Sequence, residues 1–283
     1  TKPKDSKMTE NKSYTDLIEE NEVFSINESE LRIFDCRFDL SDKDYGFIAY
    51  LKSHIHGSDY ISVDKHLSAK PGTSGRHPLP ELETWIETIQ KFGIENSNQI
   101  ILYDDSGGCY ATRAWWMFRW AGHKNVAVLD GGWDAWNGPI NSGTKTSPQR
   151  SNFQKKPSLA KLMTMIELKI SQSHQLIDAR SQDRWLGKHE PIDHTAGHIP
   201  NSLCFPFTNN LDIDKKFKSK DDLAAQFNGL NSPLVCYCGS GITATHNIMA
   251  IKLAGLPEPY LYAGSWSEWI EHKDNPIAQN DDV

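Results

Sequence analysis

One cysteine in this chain is placed for chemistry. Cys238 stands in the stretch VCYCGSGITATHNIMAIKLAG, which begins at Val235. An apolar, β-type run ends on it. Gly239, Ser240, Gly241 and Ile242 follow as a tight loop of small residues, and Thr243 leads into a helical pattern. In open α/β sheets, ligands bind beyond the carboxyl ends of strands. Glycines let successive backbone N–H groups turn inward as an anion nest, and the following helix adds the positive end of its dipole. Both effects favour thiolate over thiol, so Cys238 is expected to act as a nucleophile. The other four cysteines, Cys36, Cys109, Cys204 and Cys236, read as buried structural residues. A disulfide scaffold does not fit an odd count of five. Zinc would want more ligands than Cys236, Cys238 and a helical His246, so no metal site is expected.

Two reactions suit such a thiolate. A cysteine phosphatase needs an arginine six residues after the nucleophile to clamp the phosphoryl oxygens, and that position holds Ala244. The loop is also short for a tetrahedral oxyanion. Sulfur transfer is the second candidate: a compact ring of N–H donors suits a persulfide, whose charge lies on one sulfur.

The elements that position the loop occur twice. RIFDCR, SHIHGSDYISVD and QIILYDDSGGCYATRAWWMFRWAGHKNVAVLDGGWDAW run in the same order as QLIDAR, AGHIPNSLCFPF and LVCYCGSGITATHNIMAIKLAGLPEPYLYAGSWSEW. Asp35 matches Asp178, His54 matches His198, Tyr103 matches Tyr237, and Trp133 and Trp136 match Trp266 and Trp269. These read as packing and turn residues, the tryptophans as core anchors. Asp104 or Asp105 stands about where Cys238 stands. In the first half, residues 32–36, 99–103 and 126–129 read as strands and 79–92 and 110–121 as helices. In the second, 175–178, 203–206 and 234–237 read as strands and 243–254 as a helix. Alternation of this kind predicts an α/β fold of two tandem domains, each a mainly parallel sheet with helices on both faces. The expected bounds are 10–142 and 159–279, joined by a Gly-, Pro-, Ser- and Lys-rich linker at 143–158.

The 283 residues are 38% hydrophobic and 24% charged, enough for a sizeable core. A formal charge of −7 gives no electrostatic footprint for nucleic acid or an anionic membrane, and no apolar run approaches a membrane span. The polar N-terminus is unlike a secretory signal, Met8 is a candidate start, and the expected compartment is the cytoplasm. With no coiled-coil repeat and no large charge bias, a monomer is the expected state.

The quoted motifs resemble the rhodanese family. The second half is similar to its catalytic domain. The duplicated layout resembles its two-domain sulfurtransferases, with an inactive first domain, and the likeness runs from about Tyr14 to Asn275. CGSGITA resembles the active loop of the family's 3-mercaptopyruvate sulfurtransferases. Thiosulfate-preferring members carry a basic residue or two just after the cysteine, where Gly239 and Ser240 stand here. The resemblance implies that Arg184, in DARSQDRWLG, holds the substrate anion, and that the loop Gly239–Thr243 binds the sulfur. It also implies that Asp64 and His77, in SVDKHLSAKPGTSGRHPLP, form a relay with Ser240. Asp178 and Arg180 read instead as a structural pair. The 3-mercaptopyruvate enzymes usually have a second arginine ahead of GHIP; here Ile192 stands there, and Lys188 or Arg76 is a candidate replacement. The implied activity is transfer of a sulfane sulfur from 3-mercaptopyruvate to cyanide, a small thiol or thioredoxin, releasing pyruvate and needing no cofactor. The alternatives are a thiosulfate:cyanide sulfurtransferase and a non-catalytic persulfide carrier.

Overall fold

The computed structural model describes residues 12–171 and 173–280. Met8 and the first two residues of the expected first domain lie outside the described residues. The first half contributes strands β1 (Leu17–Ile18), β2 (Leu31–Asp35), β3 (His54–Ile55), β4 (Asp59–Tyr60), β5 (Gln99–Tyr103), β6 (Val126–Leu129) and β7 (Ile140–Asn141). The second contributes β8 (Lys161–Leu162), β9 (Gln175–Asp178), β10 (Ser202–Cys204), β11 (Leu234–Tyr237) and β12 (Tyr260–Leu261). Two five-stranded sheets result, in the orders β1-β6-β5-β2-β4 and β8-β12-β11-β9-β10. Every pairing within them is parallel. The two orders are the same order written twice, so the repeat in sequence is a repeat in topology. Strands β3 and β7 form a separate antiparallel pair.

The central strands β5 and β11 are buried along their whole length. Parallel sheets are covered on both faces, which is why these strands are unbroken apolar runs. The helices that follow them, Ala111–Trp120 and Ala244–Leu253, pack against each other between the sheets. Trp116, Phe118, Ile248 and Met249 join one continuous core spanning both halves. Helices buried on all sides carry no amphipathic stripe, and these two do not. No helix among the described residues is long and apolar enough to cross a membrane.

Some expectations need correction. The helix expected over 79–92 occupies Leu82–Lys91; Pro80 disfavours helical backbone just before it, and Gly93 takes a positive φ of 66° after it. The strand expected at 203–206 is Ser202–Cys204, ahead of Pro206. Helices at Tyr45–Lys52 and Lys220–Gln226 were not foreseen, although Ser219 caps the second by accepting from Asp222 N. The connecting stretch is not a free tether from Ser151 onward. Phe153 is fully buried, Ser151 donates to Ile94 O (2.6 Å), and the Gln90 amide donates to Phe153 O (2.9 Å). Cys204 is only partly buried, unlike Cys36, Cys109 and Cys236. Trp266 and Trp269 are core residues; Trp133 and Trp136 are half-buried and pack from outside the core.

Candidate active site

The matched residues outside the cysteine loop build the same scaffold twice. Arg37 and Arg180 each grip the aspartate two residues earlier through both carboxylate oxygens. Each guanidinium also lies over a repeat tryptophan, Trp133 at 4.5 Å and Trp266 at 5.0 Å. His54 and His198 stack on Tyr50 and Trp185 and hydrogen-bond the carbonyls of the same residues. Ile55 N donates to the Tyr103 hydroxyl, as Ile199 N does to Tyr237. All of this pins loops to strand ends.

Cys238 follows β11 directly and is 2% exposed. Its own N–H donates to Ser265 Oγ (3.1 Å), and its carbonyl accepts from Trp266 N (3.0 Å). Gly239 O accepts from Ser267 N (2.9 Å). The chain then doubles back so that Gly241 N–H points at Cys238 Sγ, 3.1 Å away. That return requires φ +79° at Gly241, where a β-carbon would lie 2.3 Å from Ala263 O; only glycine fits. Ile242 is buried, and its carbonyl accepts from both Thr245 N and Thr245 Oγ1. Thr243 is the helix cap before Ala244.

The other half shows what such a loop can hold. Asp104, not Asp105, follows β5 as Cys238 follows β11. Its buried carboxylate accepts backbone N–H groups from Ser106 and Gly108 (2.8 Å each) and from Tyr110 and Ala111 (2.9 Å each). Asp105 turns away to the Tyr45 hydroxyl. The first loop is therefore an anion nest filled by its own side chain.

Ser240, His77 and Asp64 stand in a row across the two halves. His77 Nδ1 is 2.7 Å from Ser240 Oγ, and its Nε2 is 3.5 Å from Asp64 Oδ1. Burial pushes the imidazole down to about 3, with Arg113, Arg76 and Lys43 adding to the effect. The ring is thus neutral. Nδ1 and the Ser240 hydroxyl share one hydrogen bond, in which the ring tautomer sets the donor, and Nε2 faces Asp64 without a hydrogen bond.

Arg184 donates through Nε and Nη2 to Glu190 (3.1 and 2.8 Å) and through Nη2 to Asp193 (3.1 Å). Arg76, from the first half, donates to both oxygens of the same Asp193 (2.8 and 3.3 Å). A β-carbon at Gly239 would lie 2.7 Å from an Arg76 nitrogen and 3.3 Å from one of Arg184. Two guanidiniums therefore converge beside the cysteine. Burial pushes Glu190 up, but hydrogen bonds from Arg184 and from the N–H groups of Asp193 and Ile192 outweigh it and hold the carboxyl below its usual range. Ile192 is 41% exposed and enters the cluster only through its backbone N–H, which donates to Glu190 (3.1 Å). Of the two candidates for the second arginine, the structure brings Arg76, not Lys188, to Arg184. Sequence reasoning missed Asp193, Glu190, Ser265 and Arg113; Asp193 and Glu190 had a signal, two acids within HEPIDH beside the expected arginine position.

A family model of the rhodanese-like domain matches residues 15–139 and again 159–272, and the chain belongs to that family. A Pseudomonas aeruginosa protein named probable 3-mercaptopyruvate sulfurtransferase is 40% identical over 269 residues, covering 90% of this chain and 95% of its own. Thiosulfate sulfurtransferase of Bos taurus is 33% identical over 242 residues, covering 80% of each chain. Among solved structures, 3-mercaptopyruvate sulfurtransferase from Leishmania major superposes with a TM-score of 0.81 at 31% identity, over 90% of this chain and 74% of that one. With these relatives, the chain is a sulfurtransferase.

Proposed function

We propose that the enzyme moves a sulfane sulfur from 3-mercaptopyruvate to a thiophilic acceptor through a persulfide on Cys238. The observation that carries this reading is the convergence of Arg76 and Arg184 over Gly239. Two planar guanidiniums suit the carboxylate and keto oxygens of an α-keto acid. Asp193 and Glu190 hold both side chains in place before the donor arrives, so little ordering remains to be done on binding. A side chain at position 239 would have to push the Arg76 guanidinium aside.

In the first step the Cys238 thiolate attacks the donor sulfur. A Cys–S–S bond forms and the donor C–S bond breaks, its electron pair passing into the enolate of pyruvate. The proton on the transferred sulfur ends on the enolate carbon, leaving Cys–S–S⁻ and pyruvate. Ser240 and neutral His77 pass that proton, a role supported by their 2.7 Å contact, with Asp64 behind the ring. Gly241 N–H faces Cys238 Sγ, the sulfur that carries the charge in the thiolate at the start and end of the cycle. In the second step a thiolate or cyanide takes the outer sulfur and restores the Cys238 thiolate, the two halves of a ping-pong cycle. Thioredoxin, a small thiol and cyanide are the acceptors to try.

The test is kcat/KM for 3-mercaptopyruvate against thiosulfate, with Cys238→Ser as control. A preference for 3-mercaptopyruvate and an inactive variant are expected. A thiosulfate preference refutes the donor assignment, and a persulfide on Cys238 without turnover would make the protein a carrier.

A further inference from the structure

The two halves are related by a twofold-like exchange at their seam, and it is broken at one informative place. The hydroxyls of Thr112 and Thr245, second residues of the two packed helices, meet at 3.0 Å. One residue further along each helix, a side chain reaches across to the other half's loop. His246 Nε2 donates to Gly107 O (2.9 Å), and Arg113 Nη1 donates to Gly241 O (2.9 Å). Gly107 and Gly241 hold equivalent left-handed positions, φ +69° and +79°. The loop that already contains a carboxylate is thus met by a neutral imidazole. The loop that contains the thiol is met by a cation.

Arg113 is fully buried. Its other bonds run to Leu67 O (3.0 and 3.3 Å) and to His77 O (2.9 Å). It makes no ion pair among the described residues, whereas Arg76 and Arg184 are matched by Asp193 and Glu190. A buried charge without a counter-charge is costly, and carbonyl dipoles alone answer this one. From Gly241, whose carbonyl takes the guanidinium, the N–H turns to the Cys238 sulfur.

We infer that Arg113, lent by the non-catalytic domain, is the standing counter-charge for the Cys238 thiolate and persulfide, and the positioning residue that ties the cysteine loop to the His77 loop. The inference rests on Cys238 as the sulfur-carrying nucleophile. Burial pushes the guanidinium down to about 10, and a charged Cys238 sulfur works against that shift. The remaining titratable groups around the loop are Arg76 and His77 from the first half's loop, Arg184 from the second half, and the thiols of Cys109 and Cys236, which burial holds above their usual value. None of them is an unmatched charge.

The experiment is the pH dependence of iodoacetamide alkylation at Cys238, followed by peptide mass spectrometry on the full chain. In Arg113→Met the midpoint is expected to rise by about one unit and the neutral-pH rate to fall about tenfold. Arg113→Lys, which keeps the charge, should stay near the wild type. A folded Arg113→Met with an unmoved midpoint overturns the inference. A second comparison needs no change at Arg113: Cys238→Asp and Cys238→Asn are nearly equal in size, and only the first carries a charge. The aspartate variant should melt at the higher temperature at neutral pH; an equal or lower melting temperature overturns the inference equally. If the midpoint moves while no donor loads a persulfide, the proposed function fails and the counter-charge stands. If sulfur is transferred while the midpoint stays, the reverse holds.

Discussion

His246 makes the seam between the halves sensitive to acid. Its ring lies fully buried, stacked on Phe217 at 4.3 Å, with Nε2–H on Gly107 O and Nδ1 taking a hydrogen bond from the Asn210 amide (3.1 Å). Protonation would set N–H against N–H at Asn210. Burial pushes the imidazole down to about 4 from 6.5. The unfolded state then binds the proton more readily, so stability rises with pH and is lost as pH falls through 6.5 towards 4. At about pH 5 the free ring is charged and the folded one mostly neutral, a gap of roughly 1.5 units or about 2 kcal/mol. His77 and His123, held at about 3 and about 4, act in the same direction, so the wild type should lose more than this in total. The contribution of His246 is isolated by urea unfolding of wild type and His246→Gln at about pH 7 and about pH 5. The variant starts less stable, but its loss on acidification should be smaller by about 2 kcal/mol. Equal losses in the two proteins would refute the reasoning.

Arg76→Gln should raise KM for 3-mercaptopyruvate about tenfold with kcat little changed, the worth of one charge-assisted hydrogen bond; an unchanged KM counts against the arginine pair as the carboxylate site. His77→Asn should lower kcat with 3-mercaptopyruvate about a hundredfold and with thiosulfate far less, because thiosulfate leaves no enolate to protonate. Equal losses with both donors would remove His77 from the proton path. Gly241→Ala meets Ala263 O at 2.3 Å in a left-handed conformation, so its melting temperature should drop and turnover vanish. A folded, active variant would show that the loop can take another course.

The sequence made the cysteine loop, the repeat and the central strands legible, because each is a local pattern: an apolar run, then small residues, then a helix. What stayed hidden is contact at long range. Arg76 reaches Asp193 across 117 residues and Arg113 reaches Gly241 across 128. No periodicity marks such pairs. Arg76 can be named from the sequence as a candidate for the second arginine, beside Lys188, but only the fold brings it from the other half to Arg184. Arg113 was invisible for a further reason: in a helix buried on all faces, an arginine among tryptophans has no polar face to betray it. Phe153 shows the same limit, a core side chain in a stretch whose composition reads as loop.

The reciprocal reach of His246 and Arg113 has the form of a dimer contact folded into one chain. Two copies of a single domain, joined through an isologous interface, would each receive from the neighbour the side chain that steadies its loop. One gene would then have to furnish one residue for both roles. On one chain that constraint is absent, and the two positions differ, histidine on one side and arginine on the other. The first half thus stands to the Cys238 loop as a partner subunit would, carried on the same chain and closing onto Gly241 through Arg113.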